Sequence, residues 1–379
     1  MRFDTLAVHG GERVPGPEGS VVFPIFQGTV FTSEPGEGYH DIKYHRLNST
    51  PSQTYLHDKL AALEGAEAAV ATSSGMAAVT TILHTLLGAG DHLLVSDVLY
   101  GGTYDFVTAH AARLGWEYTA IDPQDPSSWA VRDNTKAVLV ETITNPLMRV
   151  ARLREVVAFA REHGIVSVVD NTFASPVNFR PVVAGFDLVF NSATKYLNGH
   201  SDLVAGSVAG SGELVERVRH TLNLYGGSLD PHAGYLLARS LKTLGVRVRQ
   251  QNANALALAS FLSSSPKVVA VNYAGLPDHP DHAHAGELLN GFGGMLSFRL
   301  AGGVEATEEF FAALTLPAVA PSLGGVETLI TRPAATSHAG MTPEDRAATG
   351  ITDDLVRLSV GIEDAEDLLA DFGQALDKV

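Results

Sequence analysis

The sequence predicts an α/β protein, with a large domain on a mostly parallel sheet and a smaller α+β domain at the C-terminus. Three observations point there. Between residues 68 and 191, short apolar runs alternate with helical stripes, joined by polar turns. Beyond about Leu236 the texture shifts to a long helix followed by alternating strands. The chain of 379 residues, 45% of them apolar, can bury one large core or two ordinary ones.

Residues 1–50 are rich in Gly, Pro, Ser and Thr and lack periodicity, which predicts an extended arm. Its run VVFPIFQGTVF (21–31) carries too many aromatic and β-branched side chains for a solvated tail. From Ser52 the pattern is helical, with Leu56, Leu60 and Leu63 on one face and Gly65 as the closing residue. A strand at Ala68–Ala71, the turn TSSGM and a helix at Ala77–Leu87 follow, then a strand at Asp91–Ser96 and the turn DVLYGGT. AVLVE (137–141) reads as a buried strand. Leu153, Val156, Val157 and Ala160 form a helical stripe ended by Gly164, and IVSVVD (165–170) and FDLVF (186–190) are further strands. One helix is expected over Leu236–Leu262 and a strand over Gly294–Leu300. The resulting division is 1–50 as arm, 51–235 as the larger domain and 236–379 as the C-terminal domain.

With 26 basic against 42 acidic side chains the net charge is −16, so nucleic acid and anionic membranes are repelled on average. The absence of cysteine excludes disulfides, thiolate nucleophiles and cysteine-ligated metal. No stretch has the length of a signal-peptide core or a membrane span, so a cytoplasmic protein is expected.

Ligands of parallel sheets sit at the C-terminal ends of the strands. Five polar turns fall there: TSSGM (72–76), LYGGT (99–103), ETITNP (141–146), VVDNTF (168–173) and SATK (192–195). Asp170 and Lys195 end neighbouring strands, where an ordinary ion pair is one reading. Ser192 and Thr194 add hydroxyls, and Gly75 and Met76 open a helix whose free N–H groups can receive an anion, though plain N-capping by Ser73 or Ser74 would look the same. Tyr100, backed by two glycines, can stack on a flat ligand or simply fill core. No nucleotide-binding glycine motif is present. Taken together, a phosphate cradle, a stacking ring, a carboxylate and a lysine specify pyridoxal 5′-phosphate (PLP). The lysine forms the Schiff base, the aspartate keeps the pyridine nitrogen protonated, and burial favours the neutral, nucleophilic amine.

Along nearly the whole chain, from YHRLNSTP (44–51) through SATKYLNGHSD (192–202) to VRLSVGIED (356–364), the sequence resembles the Cys/Met metabolism family of PLP enzymes, which holds the cystathionine γ-synthases, γ-lyases and β-lyases and the methionine γ-lyases. The resemblance implies the aspartate-aminotransferase-like architecture (fold type I). It also implies a homotetramer built as a dimer of dimers, with active sites shared between subunits, and a small amino-acid substrate. It makes Lys195 the Schiff-base lysine, Asp170 the pyridinium partner, Tyr100 the stacking and proton-transfer residue, and Gly75, Met76, Ser192 and Thr194 the phosphate ligands. Tyr44 and Arg46 would reach the neighbouring subunit's phosphate. Arg357, with Ser322 and Asn145 beside it, would bind the substrate α-carboxylate. The strand pattern agrees, because Val356, Leu358 and Val360 share one face and leave Arg357 and Ser359 on the other.

The implied reaction is γ-replacement or γ-elimination on a homoserine ester or cystathionine. Methionine γ-lyase, cystathionine β-lyase and, further off, an aminotransferase on the same architecture are the alternatives. RLNSTPSQ is one residue longer than the family's usual run. Gly102 stands where methionine γ-lyases carry a cysteine, and Pro321 where many γ-lyases and bacterial γ-synthases carry a glutamate. APSLGG, with TRPAATSHAGMTPEDRAATGI after it, resembles γ-synthases. The histidine-rich DHPDHAHAG (278–286) sets no ligands on one rigid face, so no metal is expected.

Overall fold

The structure, a computed structural model, describes residues 1–39, 41–336, 339–340, 342, 344, 346 and 349–379. Seven strands form the larger sheet: β1 (Ala68–Thr72), β2 (His92–Ser96), β3 (Glu117–Ile121), β4 (Thr135–Glu141), β5 (Val166–Asp170), β6 (Leu188–Asn191) and β7 (Gly206–Gly210). Their order is β1-β7-β6-β5-β4-β2-β3, and β7 alone runs against the rest. Both faces are covered, which explains why the strands read as unbroken apolar runs rather than alternating ones. In β4, Val138 and Val140 enter one core cluster while Ala137 and Leu139 enter the other.

The helices that make those two layers are α1 (Phe3–His9), α2 (Pro51–Glu64), α3 (Gly75–Leu86), α4 (Gly101–His110), α5 (Leu153–His163), the short α6 (Ser175–Asn178) and α7 (Pro181–Ala184), α8 (Gly212–Tyr225), α9 (Pro231–Leu241) and α10 (Leu244–Ser264). Side chains of α2 and α5 pack on one face, those of α3, α4 and α8 on the other. The start of α2 is fixed by a capping box between Thr50 and Gln53, and its end by Gly65 in the left-handed conformation. Helix α3 starts two residues before the apolar stripe does, because the Ser74 hydroxyl accepts the Ala77 N–H at 3.0 Å and caps it. That shift puts Gly75 and Met76 in the first helical turn.

A second sheet of five strands, ordered β10-β11-β12-β9-β8, comprises β8 (Val268–Asn272), β9 (Met295–Leu300), β10 (Ala318–Val319), β11 (Leu329–Thr331) and β12 (Val356–Ser359). It packs on α10 and on α13 (Ala365–Leu376), with α11 (His282–Leu288) and α12 (Gly303–Ala313) completing this part. No helix among the described residues is long and apolar enough to cross a membrane.

Three features differ from the sequence reading. The helix expected over Leu236–Leu262 is two, α9 and α10, broken at Lys242 and Thr243. Lys242 is drawn to Glu12 at 2.9 Å, and Arg247 reaches back over the break to the Ser240 carbonyl at 3.0 Å. The arm opens with a helix, α1, and Asp4 at its start pairs with Arg249 of α10 at 2.9 Å. Strand β7 follows the lysine turn and returns antiparallel, which its sequence GSVAG, with one β-branched residue, did not announce. Of the run after Arg332, residues 337, 338, 341, 343, 345, 347 and 348 lie outside the described residues.

Candidate active site

All five predicted turns line one cavity of about 630 Å³ at the C-terminal ends of β1, β2, β4, β5 and β6. The turn at Pro321–Leu323 and Arg357 of β12 close it from the second sheet. At one end, the first two N–H groups of α3, on Gly75 and Met76, have no acceptor within the helix. Opposite lies Ser192. A Cβ on Gly75 would sit 2.7 Å from the Ser192 Cβ, so only glycine lets the two turns meet. Thr194 also lines this end, its hydroxyl donating to the Ala205 carbonyl at 3.1 Å.

In the middle, the Asp170 carboxylate accepts the Thr172 N–H at 2.9 Å and the Thr172 hydroxyl at 2.5 Å, both on Oδ1. Burial raises this group against the pull of those two bonds. Tyr100, the residue before α4, leaves 45% of its surface exposed at the cavity mouth.

Lys195 donates to the Ser322 hydroxyl at 2.7 Å. Burial, then the charge on Arg357, lowers its ammonium to about 8. Arg357 is 4% exposed and donates to the Asn145 side-chain oxygen and the Ser322 carbonyl, each at 3.1 Å. It makes no ion pair with a described residue, and burial pulls it down to about 10. Ser322, which touches both cations, holds a φ of 90°, a left-handed conformation that costs about 1–3 kcal/mol in a non-glycine residue. A buried guanidinium with neutral partners, beside an amine poised to lose its proton, is built to receive an anion next to a carbonyl or an acidic C–H.

A family model for the Cys/Met metabolism PLP-dependent enzymes matches residues 4–377. This chain is a member of that family. It is 43% identical over 382 residues to the cystathionine gamma-lyase of Bacillus subtilis (strain 168), covering all of both chains. It is 40% identical to the L-methionine gamma-lyase of Pseudomonas putida, over 99% of this chain and 97% of that one. The crystal structure of a cystathionine gamma synthase from Xanthomonas oryzae pv. oryzae superposes with a TM-score of 0.94 at 40% identity, covering 100% of this chain and 98% of the other. The architecture is therefore fold type I, and the cofactor of this Cys/Met metabolism enzyme is PLP.

The residues present fit that group. The Gly75 and Met76 N–H groups, without an acceptor within the helix and facing Ser192, suit a phosphate, the Tyr100 ring a planar heterocycle, the Asp170 carboxyl a pyridine N–H, and the depressed Lys195 amine an aldehyde. Of the twelve site residues named from the sequence, ten line the cavity. Tyr44 and Arg46 do not. Arg46 lies over the Tyr44 ring and bonds the Asn223 carbonyl at 3.0 Å and the Tyr39 hydroxyl, away from their own chain's cavity.

Two residues escaped the sequence reading. Thr172 holds Asp170 and also accepts the Ser192 N–H at 2.8 Å, joining two of the turns. Glu141 is a buried carboxyl at the end of β4, and an acidic residue closing an apolar strand was the available signal. In the histidine-rich segment, His282 and His284 donate to the Ala274 and Ala151 carbonyls at 2.9 Å, and Asp281 binds Arg149 at 2.6 Å. The His284 and Asp281 contacts brace the segment after β4.

Proposed function

We propose that this enzyme works at the γ-carbon of an α-amino acid, by γ-elimination from L-cystathionine or γ-replacement on an L-homoserine ester. The observation that carries this reading is the pairing, in one cavity, of an amine lowered to about 8 with a buried arginine that has only neutral partners. When bound, PLP supplies an electron sink that stabilises negative charge next to the amino group.

The chain supplies the rest. Arg357 binds the α-carboxylate with its fork, and Asn145 and the Ser322 carbonyl keep that fork from turning. The grip fixes the substrate relative to Lys195, a positional advantage worth several kcal/mol of barrier. Lys195, neutral, takes the α-proton at Nζ and returns a proton further along the substrate, while the Ser322 hydroxyl holds Nζ in place. Asp170 stays anionic and holds the proton of the pyridine nitrogen. Gly75, Met76, Ser192 and Thr194 bind the phosphate. Tyr100 covers the ring, and its hydroxyl is the second group able to hold a proton near the departing substituent.

Residues 51–235 form the cofactor domain on this reading, 236–379 the C-terminal domain, and 1–50 an arm that brings Tyr44 and Arg46 to the phosphate of a neighbouring copy in a homotetramer of two dimers. The support is that neither residue lines its own chain's cavity although both lie on a segment fixed to the body.

The decisive assay incubates the PLP-loaded protein with L-cystathionine, and separately with acyl-homoserine plus cysteine. Cysteine with 2-oxobutanoate from the first, or cystathionine from the second, supports the reading. Homocysteine with pyruvate from the first, or no product from either, overturns it.

A further inference from the structure

Glu141 ends β4 in the cavity wall, 5% exposed, and no step above uses it. Across the sheet it stands in register with Asp170. Two carboxyl groups are thus buried on adjacent strands, and neither forms an ion pair with a described residue. Burial, and then the charge on Asp170, push Glu141 well above the usual carboxylate range.

What Glu141 touches is more telling. Its Oε1 accepts the backbone N–H of Tyr100 at 2.5 Å, and Glu141 itself opens the turn, residues 141–146, that carries Asn145. The two turns it joins have different tasks. The first carries the Tyr100 ring, which folds so closely over the helix start that a Cβ on Gly102 would come within 2.7 Å of it. The ring therefore follows the backbone. The second carries the Asn145 amide, whose oxygen holds Arg357 at 3.1 Å.

We propose that Glu141 is a positioning residue: its carboxyl ties the turn bearing Tyr100 to the turn bearing Asn145, and so fixes the spacing between the ring that covers the cofactor and the arginine that holds the substrate carboxylate. This rests on PLP and an α-amino acid sharing the cavity, and is independent of which amino acid is turned over.

The test compares Glu141→Ala and Glu141→Gln as holoenzymes, reading the visible circular dichroism of bound PLP, kcat/KM and Tm. In the Ala variant kcat/KM falls about 10- to 100-fold, the scale of a misplaced catalytic geometry, and the visible dichroic band shrinks with the cofactor still bound. The Gln variant keeps an acceptor for the Tyr100 N–H and recovers most of both. An Ala variant with a wild-type band and wild-type kcat/KM, whatever its Tm, would mean that Glu141 only steadies α4, and overturns the proposal. So does a Gln variant as impaired as Ala. Should the Ala variant not fold, Glu141→Asp, with its carboxyl drawn back by one methylene, is read on the same two signals, and wild-type values for both overturn the proposal. The dichroic band needs no turnover, so a failed product assay leaves this test readable.

Discussion

Two groups of buried cations in this chain have opposite surroundings. On α2, Lys59 is fully buried and meets Glu12 at 2.9 Å, and the same carboxylate takes Lys242 at 2.9 Å and the Tyr55 hydroxyl at 2.8 Å. In the cavity, Lys195 and Arg357 meet a hydroxyl, an amide oxygen and a carbonyl, all neutral. Burial lowers both lysines, but only at Lys59 does a carboxylate pull the other way. A buried cation with its anion in place is a finished structural element. One without it carries a desolvation penalty that an incoming anion can offset.

The sharpest way to break this contrast is Lys195→Ala. Turnover should fall by roughly 10³-fold or more, since the variant loses its proton carrier, and borohydride should leave no cofactor label on the 192–202 peptide. Near-normal rates without added amine would refute the role. Next is Glu12→Gln, which strands Lys59 without an anion. Stability should drop by about 3–5 kcal/mol in denaturant titration, and a loss under 1 kcal/mol would mean that the arm cluster is not a finished ion pair.

Arg357→Met should act in reverse. The KM for the amino acid rises by about 10- to 100-fold, the value of a charge-assisted contact, whereas Tm without substrate does not fall, because no anion is left behind. A lower Tm with unchanged KM would make Arg357 structural like Lys59. The smallest effect concerns pH. With its ammonium at about 8, Lys195 is neutral in only about a tenth of molecules at pH 7, so the rate at which cofactor-free protein captures PLP should climb with pH and level off above 8. A climb that continues to pH 10 would show that burial has not lowered the group.

The same contrast marks what could be read from the sequence. Asp170 was legible because it ends an apolar strand, Lys195 because it sits in the polar turn that follows one, and Arg357 because Val356, Leu358 and Val360 leave it with Ser359 on the opposite face. Glu12 and Lys59 gave no such signal, since their partnership spans the arm and a helix and exists only after folding. The break at Lys242–Thr243 was hidden for the same reason: no proline or glycine occupies it, and the contacts that make it come from Glu12 and Arg247. Strand β7 lacked pattern because glycines stand at both its ends, where a Cβ on Gly206 would collide with the Ser74 carbonyl and one on Gly210 with the Asp187 carbonyl. Thr172 and Glu141 were missed because hydroxyls and acids at strand ends are common, and only folding brings them to the N–H groups they meet.

The arm is moored along its length, among other places by the Asp4–Arg249 pair, the Phe23 ring stacked on Tyr55 and the Arg46–Asn223 bond. Glu12 fastens its beginning to α2 and α9, and the Thr50–Gln53 box fastens its end, with Val30 bridged to Tyr44 between them. Between Glu12 and Thr50 the arm is thus a closed bight rather than a loose tail. Most of the entropy of closing that loop is spent during folding of the single chain, so whatever surface the bight meets gains its contacts at a reduced ordering penalty.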